Sequence, residues 1–277
     1  LSLHDALPIY PDLSDMGVKT IRGDLTEATR LEEAAHECDI VFHVAALARI
    51  AGRWQDFYDT NVLGTVNVID ACVRNNVRRL VYTSSPSVVF HGKDMGNIDE
   101  TAPYPRRFLS PYPRSKSMAE WRVLKAADEF GLYSVALRPH LIWGPDDNHL
   151  VPTIVAKRRQ GKLFLVGDGD NLVDPVYIDN AADAHIRAAD HLEARGDCPL
   201  AGKAYFIGND EPVKMKTVIN AILEAAGEEP VDRSMPLWLA YAAGAFHECV
   251  QKIHPNGSQP AVTRFVALQL AREHWFD

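Results

Sequence analysis

Along most of this chain, apolar positions recur in blocks whose period switches between that of a strand and that of a helix. Val18-Lys19-Thr20-Ile21 predicts a short strand, followed by Gly23-Asp24-Leu25. A helix is expected from Thr26 or Thr29, because Thr29-x-x-Glu32 has capping-box spacing and Leu31, Ala34, Ala35 and Cys38 share one face. Asp39 to Val44 is a continuous apolar run, as in a strand covered on both faces, and it ends in the small-residue turn Ala45-Ala46. Val62, Val66, Ile69 and Val73 form a helical stripe closed by Asn75-Asn76. Leu80 to Tyr82 predicts the next strand, which runs into the hydroxyl cluster Thr83-Ser84-Ser85-Pro86-Ser87. After a proline-rich loop a helix is expected over 112–130, then a strand over Ser134 to Leu137 ending in Arg138-Pro139.

Beyond Gly144 the pattern loosens. Residues 146–149 and 167–171 are polar turns, Asp179 to His185 opens a helix, and Ala204 to Ile207 is a last strand. From about 209 onward the chain reads as helical and less regular. Strands alternating with helices imply an α/β fold with a doubly wound parallel sheet and a smaller lobe over it. One part of such a sheet is absent. A dinucleotide-binding sheet opens with a strand, a glycine-rich turn and a helix N-terminus, and no G-x-G-x-x-G or G-x-x-G-x-x-G occurs here.

Composition narrows the classes. With net charge −8 and basic residues scattered, the chain has no nucleic-acid surface to offer. Cys38, Cys72, Cys198 and Cys249 lie far apart without a Cys-x-x-Cys, which predicts buried free thiols in a reducing, cytoplasmic setting. No His, Cys or carboxylate cluster has metal-ligand spacing, so no metal is expected. Met235 to Val250 is the longest apolar run, short of the roughly 20 residues a bilayer span needs. It predicts a lid or pocket-lining helix, with peripheral membrane contact as the alternative. Leu1 to Ile9 resembles a translated sequencing adapter and is set aside, so the native chain is expected from near Tyr10.

The candidate chemistry sits between Leu80 and Lys116. Tyr112 and Lys116 are four apart, one turn from each other on one helix face, and a hydroxyl cluster ends the preceding strand. Tyr-x-x-x-Lys alone also fits an ordinary surface helix; the strand-end hydroxyls favour chemistry. A phenol with a pKa of about 10 becomes a usable acid/base when a neighbouring ammonium favours its anion. Ser85 is the candidate to hold the reacting oxygen, with Ser84 and Ser87 as alternatives, and a hydroxyl capping a strand end as the structural reading. His43 on its buried strand reads as structural. Asn61 reads either as orienting the site or as helix packing.

Gly23-Asp24-Leu25-Thr26, Val41 to Ala46, Asn61 to Thr65, Tyr82 to Ser85, Tyr112-x-x-x-Lys116, Leu137-Arg138-Pro139 and Tyr177 to Asn180 resemble the extended short-chain dehydrogenase/reductases, in their 3β-hydroxysteroid dehydrogenase-like branch. Residues 142–149, 166–174, Thr263-Arg264-Phe265 and His274-Trp275-Phe276 are similar to the bacterial 2-alkyl-3-oxoalkanoate reductases. The resemblance implies a Rossmann-type fold: a partial dinucleotide-binding domain over 10–145, and a substrate lobe over 146–277 from which 173–208 returns to the sheet. The first strand, glycine loop and second strand are expected to be missing, and with them the residue that selects NAD or NADP; NADP is taken ahead of NAD.

The same resemblance implies the roles. Ser85, Tyr112 and Lys116 are the catalytic residues. Asp24, Leu25, Ala45, Ala46, Asn61, Thr83 and Pro139, together with Tyr112 and Lys116, face the cofactor; Asp24 meets the adenine, Lys116 the ribose and Pro139 the nicotinamide. Ser87, Trp143, Asn148, His149 and Tyr177 line the substrate pocket. The implied activity interconverts a secondary alcohol and a ketone on a bulky hydrophobic small molecule. A 2-alkyl-3-oxoalkanoate comes first, a 3β-hydroxysteroid second, and sugar-nucleotide epimerisation or dehydration is the alternative class. A homodimer through helices at 54–74 and 112–130 is the family expectation.

Overall fold

In the computed structural model, which describes Leu13 and residues 15–192, 198–253 and 262–277, four apolar runs pair in parallel. The segment Leu1 to Ile9 lies outside the described residues. The strands are β1 (Ile40–His43), β2 (Arg79–Thr83), β4 (Tyr133–Pro139) and β7 (Lys203–Ile207), in the order β1-β2-β4-β7. Register runs Val81 to Val135 and Leu137 to Tyr205, so the carboxyl ends of the strands are aligned. The fold is the Rossmann-type α/β sheet expected, and the central strand has no solvent face. Leu80 and Tyr82 pack toward α3 (Gly64–Arg74) and α4 (Pro111–Phe130), while Val81, Val135 and Leu137 pack toward α6 (Ile178–His191). That two-sided cover is why the run has no polar alternation.

Three sequence expectations fail for stated reasons. Val18–Ile21 forms no strand, because a strand exists only through pairing with another strand and this segment pairs with none among the described residues. Thr29 lies inside α1 (Ala28–Ala35) rather than capping it. The side-chain bonds at this helix start come earlier and join three residues: the Asp24 amide donates to Glu27 Oε2 at 3.0 Å, and the Thr26 amide to Asp24 Oδ1 at 2.9 Å. Of the four thiols, Cys72 alone is buried; Cys38 and Cys249 are exposed.

The helix before β2 is built in three pieces: α2 (Trp54–Phe57), a π-helical turn over Tyr58–Leu63, and α3. The wide turn shifts the phase of the residues after it. The buried stripe runs through Asn61, Thr65, Val68, Ile69 and Cys72, and Val73 is left 40% exposed. Such turns recur at functional sites, and this one carries Asn61.

A second sheet has the order β3-β10-β6-β8, from Met95–Ile98, His274–Phe276, Leu172–Val173 and Val213–Lys214. It brings the far end of the chain back against the first, with Phe276 stacked on Phe206 at 4.2 Å. α5 (Leu150–Arg159) and α7 (Met215–Ala225) pack around Val173 and Leu223. β5 (Leu165–Val166) pairs with β9 (Ser234–Met235), from which α8 (Leu237–Ile253) leads by way of residues outside the described set to α9 (Arg264–Ala271). No helix among the described residues is long and apolar enough to cross a membrane.

Candidate active site

The helix that carries the site is placed by its ends. Ser110 caps α4, its Oγ accepting from the Tyr112 amide at 3.4 Å and donating to the Ile50 carbonyl at 2.8 Å. Pro111 follows at the first helical position, and Gly131 closes the far end with φ +65°. Tyr112, Lys116 and Glu120 therefore stand one turn apart on a single face turned to β2 and β4.

On the strand side, the Ser84 amide extends the ladder past β2 by donating to the Leu137 carbonyl at 2.6 Å. The chain then turns through a short 3₁₀ segment over Pro86–Val88, capped by Ser85, whose Oγ accepts from the Ser87 amide at 3.2 Å. The Ser85 and Ser87 hydroxyls lie 2.9 Å apart. The Ser85 hydroxyl acts on the Tyr112 phenol to lower its pKa. Ser84 Oγ is buried without a partner.

Lys116 is 2% exposed. Its ammonium donates to the Thr83 carbonyl at 2.6 Å and sits 4.2 Å over the Tyr82 ring. Burial lowers its pKa to about 7, against the opposing pull of Glu120. Tyr112 moves the other way: burial raises its pKa and the neighbouring Ser85 hydroxyl partly offsets that. Without a bound nicotinamide, burial is the leading influence on the phenol, and Lys116 gives one of its donors to Thr83. At neutral pH Tyr112 carries its proton.

Asn61 ties the site to the loop after β1. It donates to Ser115 Oγ at 2.8 Å and to the Leu47 carbonyl at 3.1 Å, and accepts from the Leu47 amide at 2.7 Å. Ser115 Oγ donates to the Tyr112 carbonyl at 2.9 Å. Beneath Asn61, Thr65 Oγ1 contacts His43 Nε2 at 2.8 Å, and burial, then Lys116, lowers the His43 pKa to about 3. His43 is neutral.

A hydroxyl, a phenol and a buried lysine thus lie toward the end of a central parallel strand. The model of the 3-beta hydroxysteroid dehydrogenase/isomerase family matches residues 5–237. This chain belongs to that family. A 2-alkyl-3-oxoalkanoate reductase from Shewanella oneidensis is 47% identical over 275 residues, covering 97% of this chain and 70% of that protein. Another so named, from Stenotrophomonas maltophilia, is 45% identical over 97% of this chain and 81% of its own length. Among solved structures, the UDP-glucose 4-epimerase of Thermus thermophilus in complex with NAD superposes with a TM-score of 0.63 at 26% identity, over 92% of this chain and 85% of that one.

The remaining residues read from the sequence lie at several places in the fold. Ala45 and Ala46 follow β1 at the same end of the sheet as Thr83, and Ala45 is exposed. Pro139 ends β4 and pairs with Ile207. Thr83 Oγ1 contacts His185 Nε2 at 2.7 Å. Asp24 is engaged by Thr26, and Leu25 packs against α3 at Gly64. Trp143 and Tyr177 meet edge to face at 5.0 Å. Asn148 and His149 are exposed at the start of α5, where Asp147 receives the amides of His149, Leu150 and Val151.

Sequence reasoning missed a buried layer under Lys116. Glu120 accepts two bonds from Arg138, at 3.0 and 2.6 Å, and a third from the Tyr104 hydroxyl at 2.6 Å. The signal available was the third member of the spacing, Glu120 four residues after Lys116. Beyond the N-terminus of α4, Ile50 to Arg53, Leu109 to Pro111, Thr263, Arg264, Glu248 and Gln251 enclose a cavity of about 330 Å³. Glu248 and Gln251 belong to α8, the apolar helix expected to line a pocket. Among the described residues no three His, Cys, Asp or Glu side chains gather to hold a metal.

The residues fit the nicotinamide half of a dinucleotide. Lys116 has three N–H donors and the Thr83 carbonyl takes one, which leaves donors for ribose hydroxyls beside Tyr112. No glycine-rich phosphate turn occurs in the sequence to hold the pyrophosphate.

Proposed function

We propose that this chain is an NAD(P)-dependent reductase of 2-alkyl-3-oxoalkanoates, acting through Ser85, Tyr112 and Lys116. The observation that carries the reading is a protonated, half-buried Tyr112 on the helix face turned to the hydroxyl-bearing end of a central parallel strand, with Lys116, bonded to the Thr83 carbonyl of that strand, one turn away. The sequence identity to reductases of that name supports the substrate class.

In the reading, Lys116 and Tyr112 hold the ribose, Pro139 borders the nicotinamide, and Ala45, Ala46, Asp24 and Leu25 serve the rest of the dinucleotide. When bound, the reduced nicotinamide supplies a hydride to the carbonyl carbon. Ser85 and Tyr112 both hydrogen bond the ketone oxygen, where negative charge develops as the carbon is reduced. Tyr112 gives that oxygen its proton, and Lys116 stabilises the phenolate left behind. The ketone becomes a secondary alcohol, and the phenolate is reprotonated from solvent. Burial, which keeps Tyr112 protonated, suits it to act as an acid in this direction. The cavity beside Pro111 offers apolar wall for the alkyl chain. Leu63, Val73, Trp121 and Phe130, each at least 40% exposed on the helices over 54–74 and 112–130, support a homodimer.

A 3β-hydroxysteroid is the second reading, favoured by the family model. The test is nicotinamide absorbance with NADPH and NADH in separate runs, offered a 2-alkyl-3-oxoalkanoate, a 3-oxosteroid and a UDP-sugar. Oxidation of cofactor with the oxoacid alone supports the proposal. Turnover of the steroid alone replaces it with the second reading, and conversion of the UDP-sugar with NAD, read by chromatography because it consumes no net cofactor, moves the chain to the epimerase class.

A further inference from the structure

The layer under Lys116 raises a question of charge. Glu120 and Arg138 are both buried, the Glu120 side chain wholly so, and a buried ion pair adds little to stability when an apolar pair of the same size would pack as well. Its position is the informative feature. Tyr112, Lys116 and Glu120 rise in turn along one face of α4, and Arg138 reaches Glu120 from the neighbouring strand. With a Tyr112 phenolate, the four groups alternate in sign from the reacting oxygen inward.

The groups facing Lys116 are few. From its own helix come Tyr112 and Glu120; from β1 the neutral His43; from β2 Tyr82 and the Thr83 carbonyl, whose side chain contacts His185 of α6. Arg138 of β4 and Tyr104 approach by way of Glu120. Glu120 is the single charge that acts to keep the Lys116 ammonium protonated against burial.

We propose that Glu120 is a positioning residue for the reaction: its buried carboxylate, clamped by Arg138 and Tyr104, holds Lys116 as an ammonium beside Tyr112. The inference rests on the catalytic reading above. Arg138 is the clamp's base, spreading over the Phe206 ring at 5.0 Å, so the C-terminal strand that stacks on Phe206 through Phe276 is tied to the same group.

Glu120→Gln alone strands the Arg138 cation in the interior and endangers folding, so the decisive variant is Glu120→Gln with Arg138→Met, which removes both charges and keeps the volume. Two readouts are taken on the full chain. Carbon-13 NMR at lysine Cε follows the Lys116 titration without substrate or cofactor, and kcat/KM for oxoacid reduction is recorded from pH 5 to 9. The Lys116 midpoint is expected to fall by about one pH unit, and kcat/KM by about tenfold at pH 8 but only about twofold at pH 6. A folded double variant with the Lys116 midpoint of the parent overturns the proposal and leaves Glu120 a structural partner of Arg138. A displaced midpoint in a chain that reduces no ketone upholds the charge assignment and sinks the substrate reading instead, so the two failures are told apart.

Discussion

Replacing Lys116 by Met should abolish turnover and yet make the protein more stable at low pH. The side chain is 2% exposed, and Met fills nearly the same volume without a charge. Its pKa of about 7, against 10.5 for a free lysine, corresponds to about 5 kcal/mol of differential cost for the folded ammonium. That figure is net of the hydrogen bond to the Thr83 carbonyl and the contact with the Tyr82 ring, so below pH 7 Met is ahead by a few kcal/mol. The sign with pH follows from proton counts. Below pH 7 both folded and unfolded parent bind the proton, so the cost is fully present. Between pH 7 and 10.5 the unfolded chain binds one proton more, and parent stability rises by about 1.4 kcal/mol per pH unit relative to the variant. Urea unfolding at pH 6, 7, 8 and 9 should show the Met variant ahead at pH 6 by a gap that narrows by about 1.4 kcal/mol per unit above pH 7. A variant less stable at pH 6, or a gap that does not change with pH, refutes the reasoning.

Other outcomes follow from single residues. Gly64→Ala sets a Cβ 2.7 Å from Leu25 Cβ, and because the contact joins α3 to the Asp24-Leu25 turn, unfolding should come about 1–3 kcal/mol earlier, measured by urea midpoint. Iodoacetamide at pH 8, read by peptide mass spectrometry, should alkylate Cys38 and Cys249 within the time that leaves Cys72 untouched, since burial pushes the Cys72 thiol up to about 12. Ser110→Ala loses the cap of α4 and the bond to Ile50, and should cost about 1 kcal/mol in stability while lowering kcat more than it raises KM, because Tyr112 sits in the turn the cap fixes.

Local signals carried most of the fold. The run Leu80 to Tyr82 is legible because it is buried on both faces, and the helix over 112–130 because Ser110, Pro111 and Gly131 mark its ends. Tyr112 and Lys116 are legible because helical spacing alone puts them together. What the sequence hid is what depends on partners. Val18–Ile21 has the composition of a strand and pairs with none among the described residues. The π-helical turn at Tyr58–Leu63 shifts the buried stripe by a step that no residue pattern announces, leaving Val73 outside. Glu120 could be read as the next member of the helical face, but its partners Arg138 and Tyr104 come from a strand and a loop with no periodic link to it. Asn148 and His149 share a motif with the family yet stand exposed at the start of α5, where the capping carboxylate of Asp147 explains the local sequence.

The central claim is that Tyr112 protonates the ketone oxygen. Tyr112→Phe keeps the ring and removes the proton, so it is compared with the parent in single-turnover oxidation of NADPH with a 2-alkyl-3-oxoalkanoate, with cofactor affinity measured separately by fluorescence. The rate should fall by about 10²–10⁴-fold with cofactor affinity within about threefold of the parent. A Phe variant that oxidises NADPH at the parent rate would contradict the account, because the proton would then come from elsewhere.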